Sequence, residues 1–233
     1  MFERAKKRIK DRLGVPSHSW SFNNAKRNGF NPAVIYDIGA YTGTWTTEVM
    51  EYFPRAKYFL FEGQPSKEVY LQALKNKFPG SVNYEIGLLG AKDGEKVVFN
   101  EYETASSVLT EHFDTGATRH ERTINSMDTV AKNKNWPAPD LIKLDTQGYE
   151  LEILKGASFS MQKAEAVLME VSFIDIYINA PLAKDVIDFM LQRDFVLYDI
   201  CSLMRRPLDK ALFQADFLFV KSGSPLLTSK KWG

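Results

Sequence analysis

Short, mostly apolar runs closed by a charged or polar residue recur along the chain: residues 33–37 (AVIYD), 57–62 (KYFLFE), 82–86 (VNYEI), 140–145 (DLIKLD) and 166–171 (AVLMEV). Their apolar positions do not alternate cleanly, which predicts strands covered on both faces. The stretches at 43–53, 65–77 and 149–156 have helical spacing or helix-forming composition. Strand alternating with helix implies parallel β-α-β units.

Two regions break that rhythm. Residues 95–125 read as extended pieces, EKVVFNEY and then RTINS, separated by polar sequence, and predict a hairpin or flap on the rim of the sheet. A helix over 181–192 is then followed by strands at 195–200 and 212–220, joined by a loop holding Arg205, Arg206 and Pro207, a spacing that suits an antiparallel hairpin. The expected fold is therefore α/β, a doubly wound, Rossmann-like, mostly parallel sheet ending in an antiparallel C-terminal edge pair. The expected organisation is an N-terminal helical extension over 1–30, a main domain over 31–222 with a rim insertion at about 95–125, and a tail over 223–233.

In the N-terminal extension Phe2, Ala5, Ile9 and Leu13 share one helical face among six basic residues. Four apolar side chains bury little area, so a helix docked on the domain is favoured over one lying in a membrane surface. Asn28-Gly29 reads as a helix stop.

Composition narrows the function classes. With 233 residues, 44% apolar and 25% charged, the chain suits one globular domain, and disorder falls away. Thirty basic against 29 acidic residues leave a charge of +1, which removes the electrostatic case for a nucleic-acid partner. The longest apolar runs are four residues, so no transmembrane segment is expected. A lone Cys201 excludes an internal disulfide, and residues 1–13 lack the apolar stretch of a secretory signal; a cytoplasmic location follows as the expectation.

The segment 34–47, VIYDIGAYTGTWTT, carries the most chemistry. A strand ends in an acid, passes Gly39 and Gly43, and opens a helix, the place where doubly wound folds bind nucleotide-like ligands. A dinucleotide site wants G-x-G-x-x-G, but Ala40 and Tyr41 follow Gly39, and no phosphate-loop motif occurs. Asp37 would repel phosphate and suits a cationic ligand such as S-adenosylmethionine. Glu62 closes the second strand, where a carboxylate accepts ribose hydroxyl hydrogens. Asp37, Gly39, Ala40, Tyr41, Gly43 and Glu62 are thus the candidate cofactor residues.

Four segments resemble the FkbM family of S-adenosylmethionine-dependent methyltransferases: VIYDIGAYTGTWTT, FEGQP at 61–65, DLIKLDTQGYELEILKGA at 140–157, and VLMEVS at 167–172. The resemblance implies a class I methyltransferase fold and methylation of a hydroxyl on a sugar, glycan or secondary metabolite. The family usually has an acid where this chain has Gln147, and Pro-Asn where it has Gly63-Gln64.

A hydroxyl acceptor must lose its proton, and a positioned base typically contributes 10² to 10⁴-fold. Asp145 and Glu170, at the ends of neighbouring strands, are the candidate catalytic residues, and pairing with Lys143 in a structural ion network is the alternative. His112 and His120 lie in the insertion with nothing to fix them. Two carboxylates do not make a metal site, so no metal is expected. The rival functions are an NAD-type oxidoreductase and a cofactor-binding scaffold without turnover.

Overall fold

The computed structural model describes residues 13–102, 106–112 and 116–232. Phe2, Ala5 and Ile9 of the expected N-terminal apolar stripe, and the six basic residues around them, lie outside the described residues. Seven strands form one sheet: β1 (Val34–Ile38), β2 (Lys57–Glu62), β3 (Val82–Ile86), β7 (Leu141–Leu144), β8 (Ala166–Ser172), β9 (Phe195–Arg205) and β10 (Leu212–Lys221). Their order is β3-β2-β1-β7-β8-β10-β9. The first five run parallel, while β10 is antiparallel to both β8 and β9. The last strand in sequence is inserted inside the sheet, leaving β9 on the edge.

Both faces are covered. Tyr36, Phe59, Ile142, Val167 and Phe219 point to one side, against Met127 of α4 (Met127–Asn133), Ile153 of α5 (Glu150–Lys155), Met161 of α6 (Ser158–Lys163) and Met190 of α7 (Ala183–Leu191). Ile35, Tyr58, Leu141, Leu168 and Leu218 point to the other. There they meet Phe22 of α1 (His18–Arg27), Val49 of α2 (Thr44–Val49) and Leu71 of α3 (Glu68–Lys77). Burial of alternate residues on opposite faces explains the unbroken apolar runs.

Short helices here depend on caps and packing. Ser17 accepts from the Trp20 amide at 3.1 Å to start α1, and Ser126 accepts from the Thr129 amide at 3.2 Å to start α4. No helix among the described residues is long and apolar enough to cross a membrane.

A second, three-stranded sheet stands on the rim, in the order β4-β6-β5. It is built from β4 (Leu88–Leu89), β5 (Lys96–Glu101) and β6 (Thr118–Asn125), with β5 and β6 antiparallel. Phe99, Leu88 and Ile124 pack its inner face. Residues 107–112 are fastened at both ends, because Ser107 pairs its backbone with Asn100 while the His112 amide donates to the Ile176 carbonyl.

Candidate active site

The strand order reverses between β1 and β7, so their carboxyl ends part and leave a crevice. Gly39 allows the two loops to touch there. Its φ is +73°, and a Cβ on it would stand 2.0 Å from the carbonyl oxygen of Asp145. The Gly39 and Ala40 amides both donate to the Phe61 carbonyl at 3.0 Å, which locks the turn to β2.

A cavity of about 210 Å³ occupies the crevice. Of the expected cofactor residues, Gly39, Tyr41 and Glu62 line it. The other three do not. Asp37 lies beneath the turn, fully buried, with Thr46 Oγ1 donating to it at 2.6 Å and Lys143 Nζ at 3.0 Å. Its carboxylate serves the loop rather than facing the cavity, because its place on β1 turns it towards α2. Ala40 is buried, and Gly43 makes room for Leu74 of α3, whose Cδ2 would sit 2.6 Å from an added Cβ.

Glu62 is held from two sides, accepting from the Tyr41 amide at 2.6 Å and the Gln64 amide at 2.8 Å. Burial raises its pKa above the usual carboxylate value, while those two amides and the Lys143 charge pull the other way. Each carboxylate oxygen keeps a further lone pair for a ligand hydroxyl. Tyr41 sits at φ +50° and carries the Lys67 ammonium 4.3 Å from its ring centroid.

Lys143 ties the base of the crevice together. Its ammonium donates to the Gly39 carbonyl at 2.9 Å and stands 3.7 Å from Asp145 Oδ2. Burial pulls its pKa down, and the charges of Asp37 and Asp145 outweigh that, so it stays above the usual lysine value. The ion network expected among Lys143, Asp145 and Glu170 forms only in part: Asp145 takes part at 3.7 Å, the nearer carboxylate is Asp37 at 3.0 Å, and Glu170 accepts from Gln147 and Gln214 instead.

Asp145 lines the cavity and Glu170 does not. Gln147 stands between them, its Nε2 donating to Asp145 Oδ1 at 3.1 Å and to Glu170 Oε2 at 2.9 Å. Gln214 Nε2 also donates to Glu170 Oε2, at 2.8 Å. Burial first, then the charges of Asp145, Asp216 and Glu150, push Glu170 up to about 9, against the opposing Lys143 charge. Burial and these neighbouring charges favour its protonated form.

The insertion contributes Phe99, Ser106, Ser107 and Val108 to the cavity wall. Its histidines stay away from the cavity, His112 Nε2 lying 3.7 Å from Asp175 and His120 Nε2 lying 3.6 Å from Glu101. Gln147, Thr146 and Tyr149 also line it. The T-Q-G-Y-E run that follows the fourth parallel strand was the available signal for those three. The described residues contain no group of three or more His, Cys, Asp or Glu able to hold a metal ion.

Parallel strands in the order 3-2-1-7-8, closed by an antiparallel pair and opened at a glycine turn, define the class I methyltransferase fold. Within that class the chain belongs to the FkbM methyltransferase family, the Methyltransferase FkbM domain matching residues 37–197. Hexuronic acid methyltransferase AglP of Haloferax volcanii is 25% identical over 171 residues, spanning 70% of this chain and 69% of AglP. The crystal structure of methyltransferase FkbM from Methylobacillus flagellatus KT is similar with a TM-score of 0.51 at 16% identity. That alignment covers 79% of this chain, which spans only 43% of that longer protein. A Burkholderia thailandensis 1,6-didemethyltoxoflavin-N1-methyltransferase with bound S-adenosylhomocysteine superposes with a TM-score of 0.51 at 12% identity, covering 95% of this chain and 85% of that one. At these identities the two structures establish the fold alone.

Proposed function

We propose that this protein transfers the methyl group of S-adenosylmethionine to a hydroxyl of a sugar. The observation that carries the reading is the cavity between Glu62 and Asp145, whose lining among the described residues contains two carboxylates and no lysine or arginine. Such a wall suits a cationic cofactor without phosphate and disfavours a dinucleotide, whose pyrophosphate needs donors or positive charge. The match of this chain to a hexuronic acid methyltransferase supports a sugar acceptor.

When bound, S-adenosylmethionine supplies an electrophilic methyl carbon whose sulfur departs as a neutral thioether. Glu62 would hold the ribose hydroxyls, while Gly39 and Tyr41 shape the turn beside it. Asp145 is the proposed base. It is 40% exposed as a side chain, lines the cavity, and lies at the end of β7 where an acceptor has access. Its carboxylate takes the hydroxyl proton, and alignment of the acceptor oxygen supplies much of the remaining rate. Glu170, one side chain behind, contributes as a neutral hydrogen-bonding partner of Gln147.

The test has two stages. Calorimetry with S-adenosylhomocysteine should show binding. Incubation with S-adenosylmethionine and glucuronic acid, galacturonic acid or glucose should then give a product heavier by one CH₂, detected by mass spectrometry. Absence of binding would refute the cofactor assignment, and binding without methylation of any of the three sugars would refute the sugar acceptor.

A further inference from the structure

The side chain of Gln147 has every donor and acceptor placed. One nitrogen gives a hydrogen to Asp145 Oδ1 at 3.1 Å and the other hydrogen to Glu170 Oε2 at 2.9 Å. Its oxygen accepts from the Tyr177 hydroxyl at 3.1 Å. A primary amide has two N–H donors, and here each is given to a different carboxyl group.

The backbone is arranged to hold that side chain. Gln147 adopts φ +55°, a left-handed conformation that ordinary residues avoid and that persists only where surrounding bonds enforce it. Those bonds are present. The Ser107 hydroxyl donates to the Gln147 carbonyl at 2.9 Å. On the other side Glu150 Oε1 accepts from the Thr146 amide at 2.7 Å and the Gly148 amide at 3.2 Å. A Cβ on Gly148 would come within 3.0 Å of Leu109. The insertion, the turn after β7 and the segment after β8 thus converge on one residue: Ser107 on its backbone carbonyl, Glu150 on the amides either side, and Tyr177 on its side-chain oxygen.

The charged groups around it come from several elements. Lys143 on β7 faces Asp145, Asp216 on β10 pairs in register with Glu170, and His18 of α1 lies 3.0 Å from Asp216. Glu150 lies on the start of α5. Among these carboxyls, Asp145 lines the cavity, and one of its two oxygens is fixed by Gln147. The other oxygen faces Lys143 from 3.7 Å.

We propose that Gln147 is a positioning residue, its amide clamping Asp145 against Glu170 so that the Asp145 carboxylate is presented to the acceptor hydroxyl in one orientation. The proposal rests on Asp145 being the base. Gln147 does not exchange a proton with the acceptor; it supplies direction, and Glu170 with Tyr177 anchors it from behind.

The experiment compares wild type with Gln147→Leu, which keeps the bulk and removes both donors, and with Tyr177→Phe, which removes only the hydroxyl on the Gln147 oxygen. Crystal structures of each with S-adenosylhomocysteine read Asp145 without any acceptor. The expected result is an Asp145 carboxylate rotated away or split between two orientations in Gln147→Leu, and an unmoved Asp145 overturns the proposal. If Gln147→Leu does not fold, Tyr177→Phe carries the test. It should loosen the Gln147 amide and leave Asp145 less ordered, and unchanged order at both residues counts against the proposal. With the uronic acid that the wild type methylates as acceptor, kcat should fall tenfold to a hundredfold in Gln147→Leu, while acceptor KM and S-adenosylhomocysteine affinity stay within twofold. Full kcat in Gln147→Leu with a large loss in Asp145→Asn refutes the clamp alone. Full kcat in Asp145→Asn refutes Asp145 as the base.

Discussion

Asp37 and Lys143 are register partners on adjacent parallel strands, and the ammonium nitrogen of one lies 3.0 Å from Oδ1 of the other. Neither has appreciable access to water, Asp37 being 0% and Lys143 6% exposed. The pair sits directly beneath the turn that shapes the proposed cofactor crevice, and the same ammonium holds the Gly39 carbonyl at 2.9 Å. Loop geometry and charge balance therefore depend on one side chain.

Lys143→Met should be strongly destabilising, because it leaves a buried carboxylate with only the Thr46 hydroxyl. Removing one partner of such a pair typically costs about 3 to 5 kcal/mol. Urea denaturation measures this. Adding Asp37→Asn to Lys143→Met should recover at least half of the loss; a single-variant loss below about 1 kcal/mol would mean that water reaches Asp37.

Gly39→Ala and Gly80→Ala make an internal comparison. Both positions have positive φ, +73° and +81°, but only Gly39 faces a backbone atom, while nothing lies within 4 Å of a Cβ on Gly80. A left-handed L-residue costs roughly 1 to 2 kcal/mol. Gly80→Ala should show about that loss in thermal unfolding. Gly39→Ala should exceed it and also weaken S-adenosylhomocysteine binding, since the turn must move away from Asp145; equal effects would mean the two loops are not in contact.

Glu62→Ala should lower S-adenosylhomocysteine affinity by about 1 to 3 kcal/mol, the usual scale for hydrogen bonds to a charged group. Part of that loss would come from the Tyr41 and Gln64 amides, which the carboxylate holds at 2.6 and 2.8 Å. Calorimetry against wild type is the measurement. Unaltered affinity would remove Glu62 from the cofactor assignment.

Glu170 predicts a pH effect on stability. Its ordinary value of 4.5 rises to about 9 in the folded chain, chiefly through burial and then through Asp145, Asp216 and Glu150. The folded state holds this proton more tightly than the unfolded chain. Stability linked to it is complete below pH 4.5 and is lost as pH rises towards 9, by at most about 1.4 kcal/mol per pH unit. Glu170→Gln, neutral at every pH, should flatten the curve, so unfolding free energies measured from pH 5 to 9 should converge on the variant at low pH and fall below it at high pH. Parallel curves for the two proteins would contradict this.

The parallel strands were legible before any coordinates. β2 and β3 occupy the expected 57–62 and 82–86, β1 and β7 differ from expectation by one residue at each end, and β8 by one residue at its C-terminal end. Strands buried on both faces leave short, mostly apolar runs bounded by turn residues. The edge strand was harder. β9 continues to Arg205 rather than stopping near 200, because it pairs on one side only and its later residues, including Leu203 and Met204, are about half exposed. The six- and seven-residue helices α4 and α6 show no helical period in the sequence, being set by the Ser126 cap and by Asp128, which accepts from the Ser160 amide at 3.0 Å and its hydroxyl at 2.6 Å. Asp128 and Ser160 lie 32 residues apart and leave no period.

At the site the division is similar. Residue types at strand ends, a glycine turn after β1, and acids closing β2 and β7 are properties of local sequence, since a strand terminus and a turn are short-range structures with their own chemistry. Which carboxylate meets the cavity is not. Asp37 and Asp145 look alike in the chain, yet one is buried under Lys143 and the other lines the crevice. Glu170 is set apart by amides from Gln147 and Gln214, contributed by a loop 23 residues earlier and a strand 44 residues later. Those partners meet only when the sheet closes, because hydrogen bonding and desolvation depend on distance in space rather than along the chain.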